Sequence, residues 1–204
     1  EGSTDANRYR YTGDLIVSVL PKKTYVERSS SIIELIKSQD YVESVSARYA
    51  EGVRIEANYK NRTRLSDQVD NAAGLVAGIN PADEDRTTNL SKYLIEGEYL
   101  DEGDTDKILI GANLLYKYTP IESPGFSTLK NVELGSKVRL VIAGKTKEVT
   151  IKGIIKSKVD IDMRVIMLDS ELKKIIGRGD KNVDEISVII NPEYDAMKLK
   201  NLLV

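Results

Sequence analysis

Polar and apolar residues alternate strictly in several separated stretches, and that alternation limits the chain to a sheet-rich fold. Val53, Ile55, Ala57 and Tyr59 alternate with Arg54, Glu56 and Asn58, the period of a strand with one wet face. "KVRLVIAGKTKEVTIKGIIK" repeats the pattern on both sides of Ala143-Gly144-Lys145, with Val138, Leu140 and Ile142 before it and Val149, Ile151 and Ile155 after it. That is the signature of a hairpin. "GDLIVSVLP" (Gly13 to Pro21), "AAGLVAGIN" (Ala72 to Asn80), "RVIML" and "DEISVIIN" add further strands. "VESVSARYA" and "GVRIEANYK" read as a strand pair turning at Glu51-Gly52.

Helical periodicity lies between these strands. "SSSIIELIKSQDYV" pairs Ser31 with Glu34 as a capping box and sets Ile32, Leu35 and Ile36 on one face. "DSELKKIIG" has Asp169 as its cap, with Leu172, Ile175 and Ile176 together on one face. "NPEYDAMKLKNLLV" offers Asn191 as cap, Pro192 in the first helical position and Glu193 in the first turn. "NPADEDRTTN", Asn80 to Asn89, reads as a polar connection that ends in a helix cap before "LSKYL". The resulting fold class is α+β in two lobes. A mixed α/β lobe is built from both chain ends, about residues 10–80 and 165–204. A β-rich lobe, about 81–164, is inserted in the middle.

Composition excludes whole classes of chemistry. The 204 residues include no Cys, no His and no Trp. Disulfides, thiol chemistry, Ser-His-Asp triads and HExxH zinc sites are therefore impossible within this chain. A metal site would need oxygen ligands alone, which points to Ca²⁺ or Mg²⁺. With 30 basic and 32 acidic residues the net charge is −2, so no global field draws in nucleic acid or anionic lipid. At 41% hydrophobic and 30% charged residues the chain reads as globular. No apolar run approaches the ~20 residues of a membrane helix, and no signal-peptide core is visible at the start.

Several stretches could carry chemistry. "KILIGANLLYKY", Lys107 to Tyr118, is a strand, a glycine and a helix-like run, the order of a phosphate cradle. Gly111 stands alone there, without the further glycines, lysine and hydroxyl of such loops. It is expected to serve turn geometry, with Leu114, Leu115 and Tyr118 on a packed helical face. "DEGDTD", Asp101 to Asp106, gathers carboxylates but lacks calcium-loop spacing and reads as a solvated loop. Asp160 and Asp162 lie two apart and would repel on a strand. "RGD", Arg178 to Asp180, fits a helix-ending turn. Lys60, Arg62 and Arg64 form a short basic patch on a solvated stretch, and Asn61 and Asn89 head sequons. The sequence therefore yields no catalytic residue, no cofactor-binding residue, no metal ligand and no cofactor.

The ordered segments resemble the extracytoplasmic (periplasmic) core domain of MacB/FtsX/LolC-type ABC transporter permeases. "YTGDLIVSVLP" is similar to the family's opening strand, and "IIELIKSQDYVESVSARY" to its helix and following strand. "GLVAGINPADED" is similar to its strand and turn, and "LIEGEYLDEGDTDKILIGANLLYKY" to its glycine turn, acidic loop and next strand. "ELGSKVRL", "KEVTIKGIIKSKVDIDMRVIML" and "ISVIINPEYDAMKLKNLL" match its later strands and closing helix. Tyr116 stands where the family often has a small residue, and Thr119 to Asn131 is longer than in its shortest members.

The resemblance implies a single MacB-like domain over residues 1–204, carried between the first two membrane helices of a permease. It implies a location at the cell membrane, on the periplasmic or extracellular side. It implies mechanotransmission: relay of cytoplasmic ATP-driven conformational change to an exported substrate or outside partner, and no enzyme activity. The implied partners are a cytoplasmic ABC ATPase, a second permease subunit in a homo- or heterodimer, and a membrane-fusion protein or lipoprotein carrier, with no nucleic acid. Two other readings of the residues stand beside it. One is a stand-alone ligand- or peptide-binding module. The other is a metal enzyme using Asp101 to Asp106, or Asp160 and Asp162.

Overall fold

The computed structural model describes residues 13–60, 64, 69–121, 123–157, 160–194 and 196–203. The chain divides into two compact units. The first comprises residues 1–50, 79–92 and 178–204, and the second residues 51–78 and 93–177. The boundaries differ from the expected lobes. Residues 51–78 and 165–177 belong to the second unit, and 81–92 to the first. For residues 51–57 the reason is strand β2 (Val42–Ala57), which is one continuous strand and not a hairpin at Glu51-Gly52. Its first half pairs with one partner strand and its second half with another. Alternation alone does not reveal such an exchange of partners.

In the first unit, β1 (Leu15–Ser18) and the first half of β2 flank β9 (Glu185–Ile190), all antiparallel. Residues Ile186 to Ile190 are all buried, as befits a central strand covered on both faces. Helices α1 (Ser29–Lys37), α2 (Pro81–Thr88) and α4 (Ala196–Leu203) complete the unit. Ile36, Ile79, Leu90 and Leu199 are fully buried.

Three helix starts in the first unit differ from the sequence expectation. α1 begins at Ser29 after Arg28, a left-handed residue at φ 55° that makes no side-chain cap bond. Ser31 therefore lies inside the helix, Leu35 is exposed and Ile36 alone of the expected face is fully buried. The buried Ser29 hydroxyl accepts from Val183 N at 2.9 Å and donates to Val26 O. "NPADEDRTTN" is itself a helix: Asn80 caps it by accepting from Asp83 N at 3.0 Å, with Pro81 in the first turn. Asn89 closes it in the left-handed region at φ 52°. At the other end of the chain Asn191 closes a turn, accepting from Tyr194 N and Glu193 N, and α4 starts only at Ala196.

The second unit contains β3 (Asp70–Ile79, except its last residue), β4 (Leu94–Gly97), β5 (Lys107–Gly111), β6 (Lys137–Ile142), β7 (Lys145–Ile155) and β8 (Arg164–Leu168). Hydrogen-bond neighbours run β2, β3, β8, β5, β7, β6 and return to β2, closing a six-strand ring. β4 adds antiparallel to β7 beside the ring, and β5 pairs with β7 in parallel. The β6–β7 hairpin matches the expectation, since Ile142 faces Lys145 across Ala143 and Gly144. Both turn residues have positive φ, 48° and 76°, the geometry of a two-residue hairpin loop that follows strand twist. Val53, Ile55, Leu140, Ile142, Val149 and Ile151 are buried on alternating positions. Helix α3 (Asp169–Ile176) places Leu172 against β3, where a Cβ on Gly78 would sit 2.9 Å from Leu172 Cβ. Its cap position is Leu168, one residue before Asp169.

Candidate functional site

The most concentrated polar chemistry among the described residues lies in the interior of the first unit. Ser46 and Arg48 share a face of β2 by the two-residue period, and both are fully buried. Glu84, in the first turn of α2, meets them there. The Arg48 guanidinium donates to both oxygens of Glu84, Nε to Oε2 at 2.8 Å and Nη2 to Oε1 at 2.7 Å. Ser46 Oγ donates to Oε2 at 2.5 Å and Thr88 Oγ1 to Oε1 at 2.8 Å. Arg48 Nη1 reaches Glu185 Oε2 on β9 at 3.4 Å. Burial pushes the Glu84 pKa up, but the charge and hydrogen bonds of Arg48, with those of Ser46 and Thr88, outweigh it and hold the carboxyl below its ordinary value. The group is thus an ionised, four-fold hydrogen-bonded carboxylate, a fastening rather than a proton donor.

This cluster was not legible as a site. Glu84 lies in "NPADED", which reads as a polar connection, and Arg48 is one cation among 30 basic residues. The available signal was parity. Arg48 shares the inward face of β2 with Ser46, and an asparagine-proline pair opens the helix that carries Glu84.

Beside it, Arg178 donates to Asp184 Oδ1 at 3.1 Å and Oδ2 at 3.0 Å, and to Asn182 O at 2.8 Å. Its guanidinium lies over the rings of Tyr25 and Tyr49. The arginine of "RGD" is therefore packed inward, and Gly177 ends α3 at φ 71° as the turn reading expects.

In the second unit Gly111 is extended, at φ −69° and ψ 137°. A Cβ there would lie 2.2 Å from Asp162 O and 2.7 Å from Ile161 O, so the glycine permits close backbone approach. The run after it is a single 3-10 turn, Ala112–Leu114, and not a helix. Leu115 is already extended and bridges to Leu129. Leu114 and Leu115 are buried, and the Tyr118 hydroxyl donates to Glu96. The expected shared helical face is therefore replaced by a turn.

"DEGDTD" is not a solvated loop throughout. Asp104 is buried, accepts from Asp101 N at 2.8 Å and from Lys152 Nζ at 2.6 Å, and pairs with Lys107 at 3.0 Å. Burial alone would raise its pKa, but these partners hold it down at about 2. Lysine ammonium groups occupy the positions that a cation would take. Among the described residues no group of three acidic side chains is placed to hold a metal. Asp162, on a 3-10 turn (Asp160–Met163), accepts from Ser157 N at 2.6 Å. Lys60 pairs with Glu148 at 2.5 Å. Asn61, Arg62 and Thr63 lie outside the described residues. A polar groove of about 640 Å³ is lined by Asn58, Asp70, Asn71, Ser127, Lys130 and Asn131. Asp70 Oδ2 is engaged there by Lys130 N at 2.7 Å.

No protein-family model and no curated protein sequence matches the chain. Solved structures do. The periplasmic region of MacB from Actinobacillus actinomycetemcomitans aligns with a TM-score of 0.56 at 15% identity, covering 92% of this chain and 80% of that one. The chain has the fold of ABC-transporter permease extracytoplasmic domains. A domain of a putative permease protein from Porphyromonas gingivalis aligns at TM-score 0.52 and 17% identity, covering 92% of this chain and 78% of that one. The extracellular domain of the noncanonic ABC-type transporter YknZ from Gram-positive bacteria aligns at 0.51 and 17%, covering 85% and 76%. The MacB-like fold anticipated from the ordered segments is thus the fold observed. Among the described residues no helix is long and apolar enough to cross a membrane.

Proposed function

We propose that the chain is the extracytoplasmic domain of an ABC transporter permease subunit, relaying ATP-driven conformational change from the cytoplasm to a substrate or partner outside. The observation that carries this reading is the MacB periplasmic fold over 92% of the chain. The layout of the first unit supports it. Asp14, at the entry to β1, accepts from Ile190 N at 3.0 Å, and its own N–H donates to Val188 O at 2.9 Å. The chain's entry into β1 and its exit from β9 are therefore side by side, as insertion between two membrane helices requires. The carboxylates of Glu84, Asp104 and Asp162 are each held by donors of this chain, which fits a structural role for them in the domain.

In this reading the full-length permease joins the domain to a cytoplasmic ATPase and pairs with a second permease subunit. A membrane-fusion protein or a lipoprotein carrier is the outside partner. The test uses the absence of native cysteine in the chain. Gly52 is exposed, and a Cβ there would meet nothing within 4 Å, so Gly52→Cys can carry an environment-sensitive fluorophore. In the full-length transporter, ATP is expected to change its emission, and an ATPase subunit that cannot hydrolyse ATP is expected to abolish the change. Emission indifferent to ATP would refute the relay.

A further inference from the structure

The chain passes between its two units four times, after residues 50, 78, 92 and 177. The stretch 79–92 is the part of the first unit that is joined to the second at both of its ends. Its helix α2 has no apolar stripe: the residues it buries are Pro81, Glu84, Thr87 and Thr88. Apolar anchoring comes from Ile79 and Leu90, on either side of the helix. Between those two anchors, the Glu84 carboxylate binds α2 to β2 through Ser46 and Arg48.

Arg48 lies two residues before the first passage, and Glu185, which it also reaches, follows the last one. We infer that Arg48 and Glu84 are positioning residues for the relay, holding residues 79–92 in register with β2 and β9 next to the chain's passages between units. A buried ion pair is a poor choice for stability alone, since apolar residues of the same volume do as well or better. What a guanidinium fork on a carboxylate supplies is direction, because two parallel bonds fix both distance and orientation. The lateral bonds from Ser46 and Thr88 restrict the carboxylate further. The consequence for relay rests on the function proposed above: displacement of β2 or β9 reaches residues 79–92 through this cluster.

Amide hydrogen exchange of the whole chain tests the positioning role. Glu84→Gln and Arg48→Lys are expected to speed exchange of amides 79–92 by about tenfold or more beyond any change in the amides of β9 and of the ring of the second unit, which report the global loss of stability. A structural role without positioning would lower protection across the first unit together, and that uniform loss, or no change, would overturn the inference. If Glu84→Gln does not fold, Thr88→Val removes one donor and leaves both charges, and the same outcomes decide. The fluorophore at Gly52→Cys in the full-length transporter then tests the link to relay. Selective exchange with loss of the ATP-dependent emission change supports it. Selective exchange with that change intact overturns the link. Emission that ignores ATP in the parent protein instead defeats the relay reading, and leaves the exchange result to decide positioning.

Discussion

In the second unit a closed ring of strands buries Ile55, Leu140, Ile142 and Ile151. In the first unit a three-stranded sheet holds α2 through Arg48 and Glu84, with both side chains fully out of water. Closure removes sheet edges, and apolar packing tolerates small shifts in direction. A guanidinium on a carboxylate tolerates few. The contrast shows one unit whose shape is kept by non-directional burial, and another whose most polar helix is kept by oriented bonds.

The largest effect that would break this contrast comes from Arg48→Ala. Removing one partner of a buried pair leaves a naked charge, so unfolding free energy should fall by about 3–5 kcal/mol in denaturant titration. Replacing both partners, Arg48→Met with Glu84→Leu, should recover most of that loss. A cost below ~1 kcal/mol for Arg48→Ala would show that the oriented pair does not hold the first unit. For the ring, Leu140→Ala should cost about 2–5 kcal/mol by loss of burial and creation of a cavity. Its salt dependence should be negligible.

Gly111→Val comes next. The added Cβ would meet a backbone carbonyl, which cannot rotate away, and the loss should be about 1–3 kcal/mol. Inorganic phosphate should leave the amide resonances of Ala112 and Asn113 unmoved, because a three-residue turn behind buried Ala112 is no anion cradle.

The acid limb separates Asp104 from the apolar ring around it. Its folded pKa, about 2, lies below the ordinary 3.8. Its contribution is therefore complete above about pH 4 and is lost as pH falls towards 2. After allowance for partial solvent screening it amounts to something on the order of 1–2 kcal/mol. Asp104→Asn should flatten stability across that window, and an unchanged acid limb would contradict the assignment. The smallest effect is expected for Lys60→Ala, whose exposed pairing with Glu148 should matter only at low ionic strength.

Much of the architecture was legible because the side-chain period is two in strands and 3.6 in helices. The β6–β7 hairpin followed from alternation around Ala143-Gly144, and both α1 and α3 were placed by their apolar residues. The misreadings have a common physical source, which is long-range partnership. Gly52 looks like a turn, yet β2 runs through it because β9 pairs with one half and β6 with the other. "NPADEDRTTN" looks like a loop because its helix buries a carboxylate and hydroxyls in place of an apolar stripe. "GANLLYKY" looks like a helix because its leucines fit the period, yet Leu129 N donates to Leu114 O and Tyr116 N donates to Leu129 O. Asp104 looks solvated because Lys152, its principal partner, lies 48 residues away.

The central claim, that this domain lies outside the cytoplasmic membrane, is tested most directly by the sidedness of one residue. Gly52→Cys should be introduced into the full-length protein with any other cysteines replaced, and treated with a membrane-impermeant maleimide in intact cells or in spheroplasts. The account predicts complete labelling before lysis. Labelling that appears only after the cytoplasmic membrane is broken would contradict it.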